Sequence, residues 1–137
     1  MIQYMNLIGQ NAKKASLQKV NTKMKNKILK RYASLLDKER NIIINANTKD
    51  IKFALKKGLK NNLIDRLTIN HKNLDGIKNS INKIIKLKDP IDNTLEKWSR
   101  PNGLKIKRVS IPIGVIGVIY ESRPNVTSDV ASLCFKS

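Results

Sequence analysis

The sequence has little of the residues that hold a fold together by covalent or metal bonds. It contains one cysteine and one histidine, so it forms no internal disulfide and offers no Cys/His cluster with metal-ligand spacing. No metal site is therefore expected. The sequence also lacks the apolar core of a signal peptide after Met1 and any run of about 18 apolar residues. These absences favour a soluble cytoplasmic protein with no membrane partner.

Acidic and aromatic residues are also scarce. Ten Asp and Glu residues stand against 28 Lys and Arg, which gives a net charge of +18, and the aromatics are one Trp, three Tyr and two Phe. Such a charge raises the question of a basic nucleic-acid-binding module. The lysines, however, occur singly or in pairs, and no zinc-finger, helix-turn-helix or RNP-like pattern accompanies them. A solvated lysine surface with no nucleic-acid partner is favoured, and the nucleic-acid module is kept as an alternative.

Residues 1 to 88 carry apolar side chains at helical spacing. Two stripes, spaced by three and four residues, predict helix faces that pack in a core: Met24, Ile28, Tyr32 and Leu35, and later Leu74, Ile77, Ile81 and Ile84. Thr22 is a candidate N-cap for the first stripe, and Asn47 with Thr48 for a short helix that Gly58 ends. The second stripe begins near His71 and is stopped by Pro90, because proline cannot continue a helix.

After Pro90 the period becomes that of extended chain. The stretches TLEKWSR and LKIKRVSIP flank a turn at PNG, with Gly103 at a permissive position, and predict a β-hairpin over about residues 94–110. Neither face of its second arm is cleanly apolar, so the hairpin is expected to face solvent or another subunit. Val115 to Tyr120 is a near-continuous apolar run, which predicts a parallel strand buried on both faces. The stretch VTSDVASLCFKS is predicted to follow it as a helix.

The turn between that strand and that helix is the candidate ligand site. Strand and helix make the first half of a βαβ unit whose second strand is absent, so the chain is interpreted as truncated. Ligands of α/β folds bind at the carboxyl ends of strands. There Arg123 can pair with a carboxylate or phosphate, and Asn125 can donate its amide to an oxyanion. Equally, Arg123 can be a surface charge and Asn125 a helix cap. Cys134 lies mid-helix and is expected to be a buried structural thiol.

The stretch PIGVIGVIYESRPNVTSDVASLCFKS resembles the signature region of the gamma-glutamyl phosphate reductase family, within the aldehyde dehydrogenase superfamily. Upstream, NIIINANTKDI, GLKNNLIDRL and KLKDPI resemble that family's N-terminal helices in order and spacing, so the resemblance covers essentially the whole chain. It implies an α/β fold: N-terminal helices, a β-hairpin, and the first strand and helix of a Rossmann-like cofactor domain. Residues 1–137 would be the N-terminal part of the NADP-binding domain, with the catalytic domain outside this chain.

The same resemblance implies an activity and residue roles. The activity is NADPH-dependent reduction of L-glutamyl 5-phosphate to L-glutamate 5-semialdehyde with release of phosphate, a step of proline biosynthesis. Asn125 would be the catalytic oxyanion donor, Tyr120 and Glu121 would lie beside the cofactor, and Arg123 would hold the substrate's phosphate or α-carboxylate.

The family's nucleophilic cysteine would lie beyond residue 137, so the fragment alone is expected to be inactive. A homo-oligomer formed through the hairpin is expected for the full-length enzyme. A truncated, inactive remnant is kept as a further interpretation of the chain.

Overall fold

The computed structural model describes residues 2–121 and 123–137. In this part of the chain six helices and two strands follow in order: α1 Ile2–Ser16, α2 Thr22–Lys38, α3 Arg40–Lys56, α4 Asn61–Leu67, α5 His71–Lys86, β1 Thr94–Ser99, β2 Lys105–Val109 and α6 Pro124–Lys136. The described residues divide into two compact units, one of residues 2–20, 88–117 and 137, the other of residues 21–87, 118–121 and 123–136. No described helix is long and apolar enough to cross a membrane.

The core of the larger unit, residues 21–87, 118–121 and 123–136, is built on the apolar face of α5. All four members of the predicted second stripe are buried: Leu74, Ile77, Ile81 and Ile84. Leu29 and Ala33 of α2 complete the cluster. Because full burial of one Leu or Ile side chain contributes about 1.5–3 kcal/mol, this contact between α2 and α5 is the main apolar stabilisation of the unit.

The predicted packing face of α2 is wrong by one position along the helix. Three members of the predicted stripe are exposed: Met24, Ile28 and Leu35. The buried row is Lys25, Leu29 and Ala33. Two rows of side chains that are offset by one residue point about 100° apart around a helix. Because the buried row includes a lysine, the sequence pattern did not identify it as the row that faces the core. Lys25 is buried there because its Nζ donates to the carbonyl oxygen of Lys136 at 3.0 Å.

Two predicted helix caps differ from the structure. Asn21, not Thr22, caps α2, because its side-chain oxygen accepts a hydrogen bond from the Met24 N–H at 2.9 Å. Such a cap satisfies a backbone donor that has no partner within the helix. The other end of the helical region follows the prediction: α3 ends at Lys56, and Gly58 takes a φ of 70° there.

Asn47 and Thr48 are not caps, since both lie within α3. Asn47 is only 5% exposed. Its Nδ2 donates to the Leu67 carbonyl oxygen at 2.8 Å, and its Oδ1 accepts from the Ile69 N–H at 2.7 Å. Asparagine satisfies backbone groups in both settings, but here they belong to the connection between α4 and α5. The buried amide therefore fixes that connection against α3.

The β-hairpin predicted for about residues 94–110 is confirmed. β1 and β2 pair antiparallel, with Trp98 opposite Ile106 and Lys97 opposite Lys107. Gly103 takes a φ of 83° in the turn, as its predicted permissive position requires. Trp98 and Ile106 are half-buried and the other strand residues are exposed, also as expected. Directly opposed lysines destabilise a strand pair, and an isolated two-stranded ribbon is only marginally stable in water.

The predicted strand over Val115–Tyr120 is wrong for this chain. Residues 111–121 form no strand and are all exposed, Ile119 completely. A buried parallel strand must pair its backbone groups with neighbouring strands. The sheet in the described residues contains β1 and β2 alone, so no neighbour is present for this segment. The helix predicted to follow it is formed as α6.

Helix α6 packs on α2 and α5 through small and polar side chains. Its buried residues are Ser128, Ser132 and Lys136. The Lys136 Nζ donates to Asn26 Oδ1 at 2.6 Å and to the Ile85 carbonyl oxygen at 3.4 Å. Cys134 is exposed, so the prediction of a buried thiol is wrong. Cys134 is exposed although its neighbour Phe135 packs, partly buried, against the core, because adjacent residues of a helix point about 100° apart.

Candidate functional site

The predicted ligand-binding residues lie around the first turn of α6. The helix begins at Pro124, whose fixed φ suits the first helical position. The Val126 N–H donates to the Arg123 carbonyl oxygen at 3.0 Å, so Arg123 directly precedes the helix and Asn125 is its second residue. Both side chains are exposed. The local sequence therefore presents a guanidinium and an amide side by side at the start of α6.

Asn125 makes no cap-type hydrogen bond to the backbone of α6. Its Nδ2 contacts Asp129 Oδ2, one turn along the helix, at 3.4 Å. This distance exceeds the usual 2.7–3.2 Å of an N–H···O hydrogen bond. The contact is therefore weak, and the amide can turn towards a ligand at small energetic cost. Of the two roles left open by the sequence, the structure gives no support to capping.

Tyr120 and Glu121 lie on the exposed segment that precedes α6. The Tyr120 hydroxyl lies 2.7 Å from Thr127 Oγ1, which ties the end of this segment to the second turn of the helix. Glu121 is exposed. Neither residue lines the cleft that opens beside Arg123 and Asn125. The cleft thus includes the predicted substrate and oxyanion residues but not the predicted cofactor residues.

The cleft beside Arg123 and Asn125 has a volume of about 750 Å³. Its other wall comes from α4 and α5 and carries Asp65, Arg66 and Lys72. Sequence reasoning missed these three residues. They lie some fifty residues before Arg123, and only the packing of α6 on α5 brings the two stretches together. The one sequence signal that could have indicated two of them is the stretch GLKNNLIDRL, which resembles the reductase family and contains Asp65 and Arg66.

The wall formed by α4 and α5 is held in place by asparagines. Asn70 Oδ1 accepts from the Asn73 N–H at 2.9 Å, and Asn73 Oδ1 accepts from the Asn70 N–H at 2.9 Å. This capping box satisfies two backbone donors at the start of α5. Asn47 fixes the preceding residues from α3. Lys72 therefore lies in a first helical turn that the capping box stabilises, directly after residues that Asn47 holds by hydrogen bonds.

A charged network fixes the same end of α5 to α2 and α3. Asp37 accepts from Lys78 and, at 2.6 Å, from Arg40, which also reaches Asp75 at 2.6 Å. Arg40 donates as well to the carbonyl oxygen of His71 at 3.1 Å. The hydrogen bond from Lys78, and then the one from Arg40, holds the pKa of Asp37 below its usual range. Asp75 and then Asp37 raise the pKa of Arg40.

Cys134 is badly placed to act with Asn125. The two residues are nine positions apart on α6, which corresponds to about 13.5 Å along the axis. A nucleophile and an oxyanion donor must both reach one reacting carbonyl group, within about 3 Å of its atoms. Cys134 and Asn125 cannot meet that requirement on one straight helix. The cysteine of this chain is therefore not the nucleophile that Asn125 would assist.

The fold and the site define a class of protein. An antiparallel hairpin, helices packed in one core, and an apolar segment leading into a helix with a polar first turn are the parts of a mixed α/β protein. The ligand groups lie where such a protein places them, between a would-be strand and the helix that follows. The match to known proteins identifies the class more closely.

No protein-family model matches the chain, but curated proteins do. Gamma-glutamyl phosphate reductase of Persephonella marina is 45% identical over 121 residues, which cover 88% of this chain and 27% of the relative. The enzyme of the same name from Nautilia profundicola is 48% identical over 118 residues, or 86% of this chain and 29% of the relative. The chain thus spans less than a third of the length of these relatives.

Solved structures give the same result. Gamma-glutamyl phosphate reductase of Thermotoga maritima matches with a TM-score of 0.89 at 41% identity, over 93% of this chain and 31% of that one. The reductase of Saccharomyces cerevisiae matches with a TM-score of 0.89 at 29% identity, over 96% of this chain and 34% of that one. The chain is homologous to the N-terminal region of gamma-glutamyl phosphate reductases. The resemblance and the fold class predicted from the sequence are confirmed.

Proposed function

We propose that this chain supplies the N-terminal part of a cytoplasmic oxidoreductase that converts L-glutamyl 5-phosphate to L-glutamate 5-semialdehyde. NADPH is the reductant, phosphate is released, and the product serves proline biosynthesis. The observation that carries the proposal is the 45% identity to a gamma-glutamyl phosphate reductase over 88% of the chain. Residues 1–137 are assigned to the N-terminal part of the NADP-binding domain, and the catalytic domain to chain beyond them.

Asn125 is the residue of this chain assigned to the chemical step. Attack of a cysteine thiolate from the catalytic domain on the acyl phosphate forms a carbon–sulfur bond and drives negative charge onto the carbonyl oxygen. The Asn125 amide, exposed at the start of α6 and held only by a long contact to Asp129, donates to that oxygen. Such a donor acts more strongly on the transition state than on the ground state. Phosphate then leaves, and Arg123 is placed to pair with it.

Tyr120 and Glu121 are proposed to form one edge of a nicotinamide-dinucleotide site. Tyr120 and Glu121 stand at the end of the exposed apolar segment, in front of α6, which is where such folds place a cofactor. A complete site needs neighbouring parallel strands, and the sheet in the described residues contains only the hairpin. We assign NADP to the assembled enzyme, with Tyr120 and Glu121 beside it. When bound, this cofactor supplies the hydride that reduces the thioester.

The hairpin is the proposed oligomer contact of the full-length enzyme. Within the described residues its strands pair only with each other, so each keeps an outer edge with backbone groups that no other strand there pairs. A two-stranded ribbon with opposed lysines gains stability when another strand or subunit covers it. The proposed activity requires neither a nucleic-acid nor a membrane partner.

The proposed role of Asn125 is tested by Asn125→Ala in the complete enzyme that carries this region. Loss of one oxyanion donor is expected to lower kcat about a hundredfold while leaving KM for glutamyl phosphate nearly unchanged. The thermal midpoint should change little, because Asn125 makes no capping bond. Asn62→Ala is the matched control, since Asn62 is also an exposed asparagine at the second position of a helix and lies outside the cleft.

Three outcomes would contradict these assignments. An unchanged kcat in Asn125→Ala would remove Asn125 from the catalytic residues. A complete enzyme that fails to oxidise NADPH with glutamyl phosphate would overturn the proposed function itself. The 137-residue chain alone is expected to show no turnover, and turnover lost on Cys134→Ser would show that the nucleophile lies in this chain after all.

A further inference from the structure

The cleft beside Asn125 carries charged groups that the proposed reaction leaves unused. On the wall formed by α4 and α5 these are Asp65, Arg66 and Lys72. Among the described residues none of their side chains forms an ion pair or a hydrogen bond. By contrast, Asp37 of α2 and Arg40 of α3 share a hydrogen bond at 2.6 Å. Charges of both signs thus line one cleft without neutralising one another.

We propose that this wall binds the amino-acid head group of the substrate, meaning an α-carboxylate and an α-ammonium on one carbon. Arg66 and Lys72 pair with the carboxylate, and Asp65 pairs with the ammonium. This inference rests on the proposed function, because it assigns one end of the substrate proposed there. Each wall of the cleft then binds one end of the substrate, and Arg123 and Asn125, at the start of α6, bind the acyl phosphate end.

The mixed charge of the wall favours a zwitterion over a simple anion. A phosphate or dicarboxylate would gain from Arg66 and Lys72 but would be repelled by Asp65, and by Asp129 on the opposite wall. At equal distance, repulsion between like charges is as strong as attraction between opposite charges, so one unmatched carboxylate offsets one cation. A head group that brings its own ammonium removes this penalty and uses all three side chains.

The backbone that carries these groups is fixed before any ligand arrives. The residues between Arg66 and Lys72 are hydrogen-bonded by Asn47 at Leu67 and Ile69, and the capping box starts α5 immediately afterwards. Preorganised groups lose less conformational entropy when they bind a ligand. The wall is therefore suited to discriminate between head groups, beyond attracting anions in general.

The test uses the 137-residue chain and three small probes, followed by amide chemical shifts. L-glutamate has the complete head group, glutarate lacks the ammonium, and 4-aminobutyrate lacks the α-carboxylate. We expect L-glutamate to shift amides between residues 65 and 73 saturably, with at least fivefold higher affinity than either analogue. Non-specific attraction predicts the opposite order, because the doubly charged glutarate would bind a chain of net charge +18 more tightly than glutamate.

Variants assign the charges individually. Asp65→Asn should abolish the preference for glutamate over glutarate, while Arg66→Gln and Lys72→Gln should each weaken glutamate binding about tenfold. Asp50→Asn and Lys52→Gln make the same charge changes at exposed positions of α3 and should change nothing. Retained shift dispersion of α5 amides shows that each variant is folded.

Several results would overturn the inference: no saturable glutamate shifts, tighter binding of glutarate, or equal effects in the control variants. None of them bears on reductase activity, which is measured separately in the complete enzyme. Conversely, glutamate binding with the expected preference, in a complete enzyme that does not reduce glutamyl phosphate, would refute the proposed function and leave the head-group site standing.

Discussion

Asp37 is the residue through which three helices are joined by charge. It lies on α2, Arg40 on α3, and Lys78 on α5, and both cations donate to its carboxylate. Partly exposed ion pairs usually contribute little, but a network with shared donors holds its geometry better than a single pair. Because the bonds favour the ionised form, the pKa of Asp37 is lowered, by Lys78 first and by Arg40 second. The lowered pKa links protein stability to pH.

The sign of that linkage gives the first prediction. A carboxyl whose folded-state pKa lies below its unfolded value, about 3.9, stabilises the fold fully above that value and loses the contribution as pH falls through the folded pKa. Asp37→Asn should therefore lower stability near neutral pH and flatten its decline below about pH 4. Urea midpoints of both proteins between about pH 2 and 6 measure this, with Asp50→Asn as a control. Parallel curves at every pH would refute the role of Asp37.

At the scale of elements, α6 is attached to the core by an unusual surface. Ser128 and Ser132 are buried, Ser132 to 1% exposure, and neither hydroxyl has a hydrogen-bond partner among the described residues. Burying an unsatisfied hydroxyl costs about 1–3 kcal/mol. The small side chains allow close packing of α6 on α5, so the fit of the two helices offsets that cost.

This surface gives the second prediction. Ser132→Ala removes an unsatisfied hydroxyl without changing the packing volume greatly, and should raise the free energy of unfolding by about 1 kcal/mol. Ser132→Leu should lower it by about 1–3 kcal/mol, because added methylenes overfill a packed interface. Chemical denaturation measures both. Ser34→Ala, at an exposed position of α2, reports the gain from helix propensity alone. A gain no larger at residue 132 than at residue 34 would show that the hydroxyl carries no penalty.

The elements predicted correctly are those whose structure is determined by their own local sequence. The stripe from Leu74 to Ile84 is amphipathic and forms α5, and the turn at Gly103 forms the hairpin. Elements that depend on other parts of the molecule were predicted wrongly. Val115–Tyr120 has the composition of a strand but no partner strand, and Asn47 resembles a cap but bonds across elements. Within the site, Arg123 and Asn125 were visible from their turn, whereas Arg66 and Lys72 join them only through helix packing.

At the scale of the whole molecule, the main feature to explain is the apolar segment of residues 111–121, whose side chains are exposed. Residues 111–121 include six exposed Ile and Val side chains: Ile111, Ile113, Val115, Ile116, Val118 and Ile119. A run of exposed apolar side chains of this kind indicates an interaction site. The chain corresponds to 27–31% of the length of the curated relatives. We therefore expect this segment to become a strand when the remainder of such an enzyme supplies neighbouring strands.

Hydrogen exchange tests that expectation in the chain alone and in the complete enzyme. In the chain alone, amides of residues 113–120 donate no hydrogen bond to the backbone of the described residues. They should exchange close to intrinsic rates, while the amides of Ile77 to Ile84 in the core of α5 remain protected. In the complete enzyme, pairing within a sheet should slow exchange at 113–120 by about a hundredfold or more, and α5 serves as the internal control. Protection of residues 113–120 in the chain alone that rises with protein concentration would show that the segment pairs with a second copy. Protection that is independent of concentration would show that the strand forms without the rest of the enzyme and would refute the expectation.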